Sequence, residues 1–521
     1  MDRETLRMHM AIGLLSLLHL LKSALISSES SIVLSVVEFN MADQAAPLLP
    51  TFRLSPLDML MPRMHVPKLL YFSSTSAPTQ ILANLRKALA LTIETMPILG
   101  GSITLSENRK DQRGSLNVQP PYFTAEDILS SNDLSNRYDY QELRLKHFPS
   151  DAVPLEEYAP KLFGTSADSM PVIMAQVNFL NGGLLLFFAI HHCVMDEVGI
   201  FNVMKVWSTY ARGDSGLDFV SSQWFDREPL MQGAGTGKLE DHPEYTLSPE
   251  DIPTNATESP DVFYPKSTDV DSAVFFLSDE NLDRLKGSAM RTESAIQSED
   301  MQGMPWVSTN DALIALFWCS ITCARLSEDL ANAAHIFPRF GMAMNGRGLL
   351  KPPMSPDFSG NVVLIAKTFT SAETLLPSNP ERLAEAALLV RKSISVVDNA
   401  YIRDTIQLVR SVKDLGQLAP RRRPAAEHSL GCSTWASQPY YSLDWGDLMG
   451  SRCERVRWRN LRTDGLFVIF PRLPRAGISE NNCDGRKSSG GVEVLLGLKT
   501  AHMQRLKEDE FFNQFVEWRC N

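Results

Sequence analysis

Basic charge is scarce in this 521-residue chain: 50 Lys and Arg stand against 61 Asp and Glu, a formal net charge of −11. No basic field offsets that balance, which argues against a nucleic-acid partner. The basic run Arg421-Arg422-Arg423 lies between Pro420 and Pro424 and reads as a solvated loop. Its other reading is a contact with the phosphates of a cofactor. Long apolar runs are missing too. Ala11–Leu21 is apolar with Arg3 and Arg7 before it, but it is too short to span a bilayer, and His19 and Lys22 interrupt it. No small-x-small cleavage site follows, and Met41 offers a second plausible start. Residues 1–45 are therefore expected to be a disordered or wrongly assigned extension, with a signal or anchor as the minor alternative. The expected location is the cytoplasm, without stable membrane insertion.

Cysteine chemistry is also thin. The seven cysteines are odd in number, and Cys319 and Cys323 share a helical face with no second Cys or His pair nearby. That pattern lacks a zinc site, so no metal is expected, and free thiols in a reducing compartment are the simplest account. Asn255-Ala256-Thr257 is a lone glycosylation sequon and carries little weight. Gly233-Ala234-Gly235-Thr236-Gly237-Lys238 faintly resembles a phosphate loop. No Ser or Thr follows Lys238 and no buried strand precedes it, which argues against nucleotide binding there.

What remains is ordinary globular material, 44% apolar and 21% charged, long enough for two large domains. Thr79–Thr95 has helical periodicity, with Ile81, Leu82, Leu85, Leu89 and Ile93 on one side. Val172–Leu180 and Leu184–Ile190 flank Asn181-Gly182-Gly183, a hairpin signal. Gly199–Arg212 reads as a helix. Residues 213–270 are rich in Gly, Pro, Ser and acids and read as a linker. Beyond it, Ser272–Leu277 reads as a strand, Ser308-Thr309-Asn310-Asp311 caps a helix through Arg325, and Glu381–Val397 reads as another helix with Pro380 just before it as a start signal. A strand at Val492–Leu498 and a helix from Thr500 close the chain. The expected division is an extension over 1–45, a domain over 46–225, a crossover over 226–270 and a second domain over 271–521. Ala476–Ser489 reads as an exposed insertion or a gene-model error.

The most informative stretch is His191-His192-Cys193-Val194-Met195-Asp196. Imidazole titrates near neutrality, at about 6.5, and can take a proton from an alcohol or amine. A buried strand before His192 would hold the ring, and Asp196 sits where a helix N-cap would sit. Spacing alone is weak, since a chain this long should show about one H-x-x-x-D by chance. His147-Phe148-Pro149-Ser150-Asp151 has the same spacing, but it follows charged residues and reads as a surface loop. The same features also fit a structural His192 followed by a capped helix.

A second constellation lies downstream, in Cys432–Gly446, and ends in Asp444-Trp445-Gly446. Alone it is a turn with buried aromatics. With His192–Asp196 it resembles the BAHD acyltransferases, marked by H-x-x-x-D and a downstream D-F-G-W-G. Collinear matches support this. Leu54–Asp58 is similar to the family's L-S-P-L-D, and Ser308–Trp318 to its S-T-x-D-x-L-x-A-x-x-W helix. Asn345-Gly346-Arg347, Pro352-Pro353 and Gly360-Asn361 are similar to its D-G-R…P-P…G-N run. The resemblance covers residues 50–515 and is closest to the fungal secondary-metabolite branch.

The resemblance implies an α/β fold of two chloramphenicol-acetyltransferase-like domains, each a mixed sheet with flanking helices, around a central channel. It implies a monomer that uses acyl-CoA, acetyl-CoA first, as co-substrate and a small-molecule alcohol as acceptor. No tightly bound cofactor or metal is implied. His192 would be the general base. Asp196 would turn from the substrate and pair with Arg347, fixing the loop. Ser433 and Trp435 would be the oxyanion candidates, and Asp444, Trp445 and Gly446 structural support. Glu197 departs from the family's Gly and could crowd the turn. Two alternatives stay open: a condensation-domain-like enzyme, or a catalytically silent relative that binds a metabolite.

Overall fold

The computed structural model describes residues 51–107, 112–165, 168–247, 268–290, 306–327, 330–420, 428–475 and 489–521. The expectations for residues 1–45, for Arg421–Arg423, for the Asn255 sequon and for residues 476–488 lie outside them.

In the first half, β1 (His65–Ser73) is followed by α1 (Pro78–Thr95), β2 (Leu129–Asp133), β3 (Ile173–Leu180), β4 (Gly183–His191) and α2 (Glu197–Ala211). β3 and β4 are buried along their whole length. The apolar run of β4 is what a strand covered on both faces needs, while β3 also buries Gln176 and Asn178, whose amides donate to the Glu157 carbonyl at 2.9 Å and the Tyr158 carbonyl at 3.0 Å. Leu180 pairs with Gly183, so Asn181-Gly182 is the two-residue turn, with Gly182 at φ +80°. A Cβ on Gly183 would come within 2.2 Å of the Tyr140 ring, which reserves that position for glycine.

The second half contributes β5 (Val270–Leu277), α3 (Thr309–Leu326), β6 (Arg339–Asn345), β7 (Val363–Phe369), α4 (Pro380–Ser395), α5 (Asn399–Ser411), β8 (Ser429–Thr434), β9 (Arg455–Arg457), β10 (Leu466–Ile469), β11 (Ser489–Lys499) and β12 (Glu517–Cys520). Ser308 and Asp311 form the expected capping box of α3. β7-β6-β8-β10-β11-β5-β12 make a mixed sheet, with Leu473–Arg475 added beside β11. α3 and α4 bury their apolar faces in a core with the inner strand residues Phe275, Phe467 and Val494.

Two features join the halves of the chain. The first sheet runs β9-β1-β4-β3-β2, so a strand from the second half completes it, with Arg455 opposite Tyr71. Arg457 of β9 then meets Glu493 of β11 at 2.7 Å, both fully buried, tying one sheet to the other. Arg457 also donates to the carbonyls of Phe148 at 3.0 Å and His147 at 2.7 Å. The His147 segment is a turn, as expected, but Phe148 is buried and the turn's carbonyls are an internal anchor rather than loose surface. The second feature concerns the crossover. Its stretch 226–247 packs on α5: His242 Nε2 lies 2.8 Å from Asp404 Oδ2, and Tyr245–Leu247 pairs with Leu418–Pro420.

Candidate active site

β4 ends at His191, and α2 starts at Glu197 with Asp196 as its N-cap; Asp196 Oδ1 accepts from Val198 N at 3.1 Å and Gly199 N at 3.3 Å. His192 to Met195 form the turn between them. Hydrogen bonds from several directions fix this turn. His192 N donates to Met64 O at 2.8 Å, and Val194 N to His191 O at 2.9 Å. Asn361 Nδ2 donates to His192 O at 2.9 Å, and Arg227 Nη2 to Val194 O at 2.8 Å. His191 is fully buried beside it, ring edge to ring face with His65 at 5.1 Å, whereas His192 is half-buried.

The distant motifs converge on this turn. Asp196 Oδ1 accepts from Arg347 Nη2 at 2.8 Å, the pair the resemblance implied. Asp196 Oδ2 accepts from Val362 N at 3.1 Å. Arg347 is 2% exposed and spends its other donors on the Phe358 and Gly360 carbonyls and on Asn345 Oδ1. Asn345, which replaces the family's acid, thus serves as a neutral acceptor for Arg347. Asp58, fully buried, accepts from Asn361 N at 2.9 Å and Nδ2 at 2.8 Å, and from Arg227 Nε at 3.0 Å. Asp58 therefore holds the two residues that hold the backbone on either side of Cys193.

Glu197 does not crowd the turn. Its carboxylate lies 2.7 Å from Lys68 Nζ and accepts from Tyr440 OH at 2.8 Å. Lys68 is fully buried on β1, with its ammonium 3.1 Å from the Trp435 ring centroid. Burial lowers the Lys68 ammonium to about 8, against the opposing pull of Glu197. Burial likewise raises the Glu197 carboxyl, partly offset by Lys68.

Ser433 and Trp435 lie at the end of β8 and just beyond it. The Trp435 backbone N–H is spent on the Ile469 carbonyl at 2.8 Å, so its amide is not the donor the resemblance implied. Asp444 Oδ1 accepts from Gly446 N at 2.9 Å and shapes a turn. Trp445 is buried between Phe72 at 5.7 Å and Trp207 at 5.6 Å. Gly446, at φ +82°, brings this turn against Arg212, where a Cβ would come within 2.8 Å.

Arg227, Lys68 and Tyr440 are the site residues the sequence did not single out. Each acts across a long sequence separation, which no local pattern signals. The glycine-rich run is also explained. Gly237 N donates to Asp404 at 2.8 Å, so a carboxylate stands where a phosphate would have to bind. A cavity of about 730 Å³ beside this run is lined by Asp226, Glu228 and Arg403, not by His192.

A family model described as the Transferase family matches residues 38–512. The chain is 28% identical to acyltransferase BOA11 of Botryotinia fuckeliana, over 89% of this chain and 97% of that one. It is 26% identical to the O-acetyltransferase ptmV of Penicillium ochrochloron, over 82% and 91%. Its fold is similar to that of F. graminearum TRI101 bound to coenzyme A and deoxynivalenol, with a TM-score of 0.73 at 20% identity, covering 90% of this chain and all of that one (100%).

Proposed function

The chain belongs to the Transferase family, the BAHD acyltransferases, and from that premise we propose that it moves an acetyl group from acetyl-CoA to a hydroxyl of a secondary metabolite, with His192 as the general base. The carrying observation is the convergence of Asp58, Arg227, Arg347 and Asn361 on the turn of His192 and Asp196. A merely capped helix does not need backbone clamps at both His192 and Val194. Pre-fixing a base in this way places it for proton transfer without loss of loop entropy at the moment of reaction.

In the reaction, the His192 imidazole takes the acceptor's hydroxyl proton as the oxygen attacks the thioester carbonyl. Such base catalysis is worth roughly 10²–10⁴ in rate. The Ser433 hydroxyl and the Trp435 indole N–H are the proposed donors to the tetrahedral oxyanion. Collapse expels the CoA thiolate, which takes the proton back from the imidazolium. Glu197, the residue that raised the alternative of a silent relative, is engaged with Lys68 and Tyr440 and not in the turn. The relatives' names include eremophilane O-acetyltransferases, and a terpenoid alcohol is the acceptor class we propose. Use of acyl-CoA, an intracellular co-substrate, supports a cytoplasmic enzyme, and the proposal takes it as a monomer; among the described residues no helix is long and apolar enough to cross a membrane.

The test combines coenzyme A binding by calorimetry with thiol release from acetyl-CoA in the presence of eremophilane alcohols or deoxynivalenol. Binding, and thiol release that depends on His192, are expected. No coenzyme A binding, or equal rates for wild type and His192→Ala, would overturn the reading.

A further inference from the structure

We propose that Lys68, Glu197 and Tyr440 are positioning residues for acyl transfer, a buried relay that ties the helix start behind His192 to the strand end that carries Ser433 and Trp435. This rests on the acyltransfer reading above.

The geometry is that of a bridge. Glu197 directly follows the cap Asp196 and opens α2. One of its oxygens is 2.7 Å from Lys68 of β1, and the other accepts from Tyr440, five residues beyond Trp435. Lys68 in turn rests its ammonium 3.1 Å from the centre of the Trp435 ring. Tyr440 also packs its ring on Phe201 of α2, 5.2 Å between centroids. One carboxylate thus connects the element that orients the base with the segment that carries both oxyanion candidates. The ionisable groups around it are Asp196, already paired with Arg347, and Cys453, whose thiol lies 3.9 Å from the Tyr440 carbonyl. A glycine at position 197 could make none of these contacts.

The relay depends on the Lys68 charge. Burial brings the ammonium to about 8 while Glu197 works to keep it protonated. Above that pH the ammonium fades, the cation over Trp435 is lost and the bridge slackens. Glu197→Gln keeps an oxygen for Tyr440 but withdraws the charge that sustains the ammonium, so Lys68 should deprotonate at lower pH.

The experiment follows thiol release from acetyl-CoA with water as the acceptor, from pH 6 to 9.5, after subtracting uncatalysed hydrolysis. The wild type should show an alkaline fall centred near 8. In Glu197→Gln that fall should move down by about one pH unit or more, a roughly tenfold change in proton affinity, with KM for acetyl-CoA unchanged. Lys68→Met, similar in length and neutral, should lower kcat and flatten the alkaline limb. His192→Ala should remove release at every pH. If the alkaline fall stays in place in both Glu197→Gln and Lys68→Met while His192→Ala is inactive, the relay is wrong and the transfer reading stands. Undiminished release by His192→Ala would instead remove the reading on which the relay rests. If Glu197→Gln does not fold, Lys68→Met alone decides: an unaltered limb overturns the proposal.

Discussion

Asn361 donates its side-chain amide to the backbone carbonyl of His192 at 2.9 Å. The same nitrogen donates to Asp58 at 2.8 Å, so residues 303 positions apart share one clamp on the turn of the proposed base. That clamp sets the first expectation. Asn361→Ala should lower kcat about 10–100-fold, more than it raises KM, because a small displacement of a catalytic group is costly. Stability should fall by about 1–3 kcal/mol as Asp58 loses a buried partner. Steady-state kinetics and urea unfolding check both, and an unchanged kcat counts against the clamp.

The Asp196–Arg347 pair is buried at both ends, 4% and 2% exposed. Arg347→Met leaves a buried carboxylate without its cation and should cost about 3–5 kcal/mol. Asp196→Asn keeps an oxygen for Val198 and Gly199 but leaves Arg347 buried without a counter-charge and turns an amide N–H toward the Val362 N–H, so it should cost a similar amount, about 3–5 kcal/mol. Chemical denaturation of the two variants reads both losses; a loss below about 1 kcal/mol in either would contradict this account of the pair.

Acid should weaken the fold through His65. Burial lowers its imidazole to about 4, although its hydrogen bond with the Pro171 carbonyl pulls the other way. Between about 6.5 and 4 the unfolded chain binds a proton that the folded chain refuses, so stability falls as pH drops through that window. The full effect is on the order of 3 kcal/mol. His65→Gln should flatten this part of the stability profile, measured by thermal unfolding at each pH. An identical slope would show that other groups carry the acid response.

Glu493 should behave as the joint between the two sheets. Burial alone would raise its carboxyl, but Arg457, Arg455 and Arg519 outweigh that and hold it well below the usual carboxylate range. The stability it supplies is present above the unfolded carboxylate range and lost as pH falls below it. Glu493→Gln should cost about 3–5 kcal/mol, by leaving Arg457 buried without a counter-charge. Unfolding at neutral pH reads this directly, and a loss below about 1 kcal/mol would argue against the joint.

Local features were legible in the sequence. The Asn181-Gly182 turn, the Asp196 cap and the Ser308–Asp311 box are written in adjacent residues, and the structure has each of them. The motif matches at Asp58, Arg347 and Asn361 were legible as a pattern, but not as a single clamp. The rest is long-range. Arg455–Arg457 is three residues long and two-thirds charged, and nothing in it announces a strand of the first sheet. Lys68 sits in an apolar strand, where a lysine usually marks an exposed edge; only the fold reveals that Glu197 and Trp435 face it. The crossover read as a linker because its Gly, Pro and acids are those of loops, yet Gly235 and Gly237 are there because α5 passes too close for a side chain.

The central claim is that His192 removes the acceptor's proton, and paired alanine variants test it most directly. His147 shares the H-x-x-x-D spacing but serves the fold through its carbonyl, which alanine keeps. Release of coenzyme A thiol from acetyl-CoA should fall by roughly 10²–10⁴ in His192→Ala with folding intact, and stay within about twofold of wild type in His147→Ala. Equal losses in the two variants, or a His192→Ala protein that releases thiol at the wild-type rate, would contradict it.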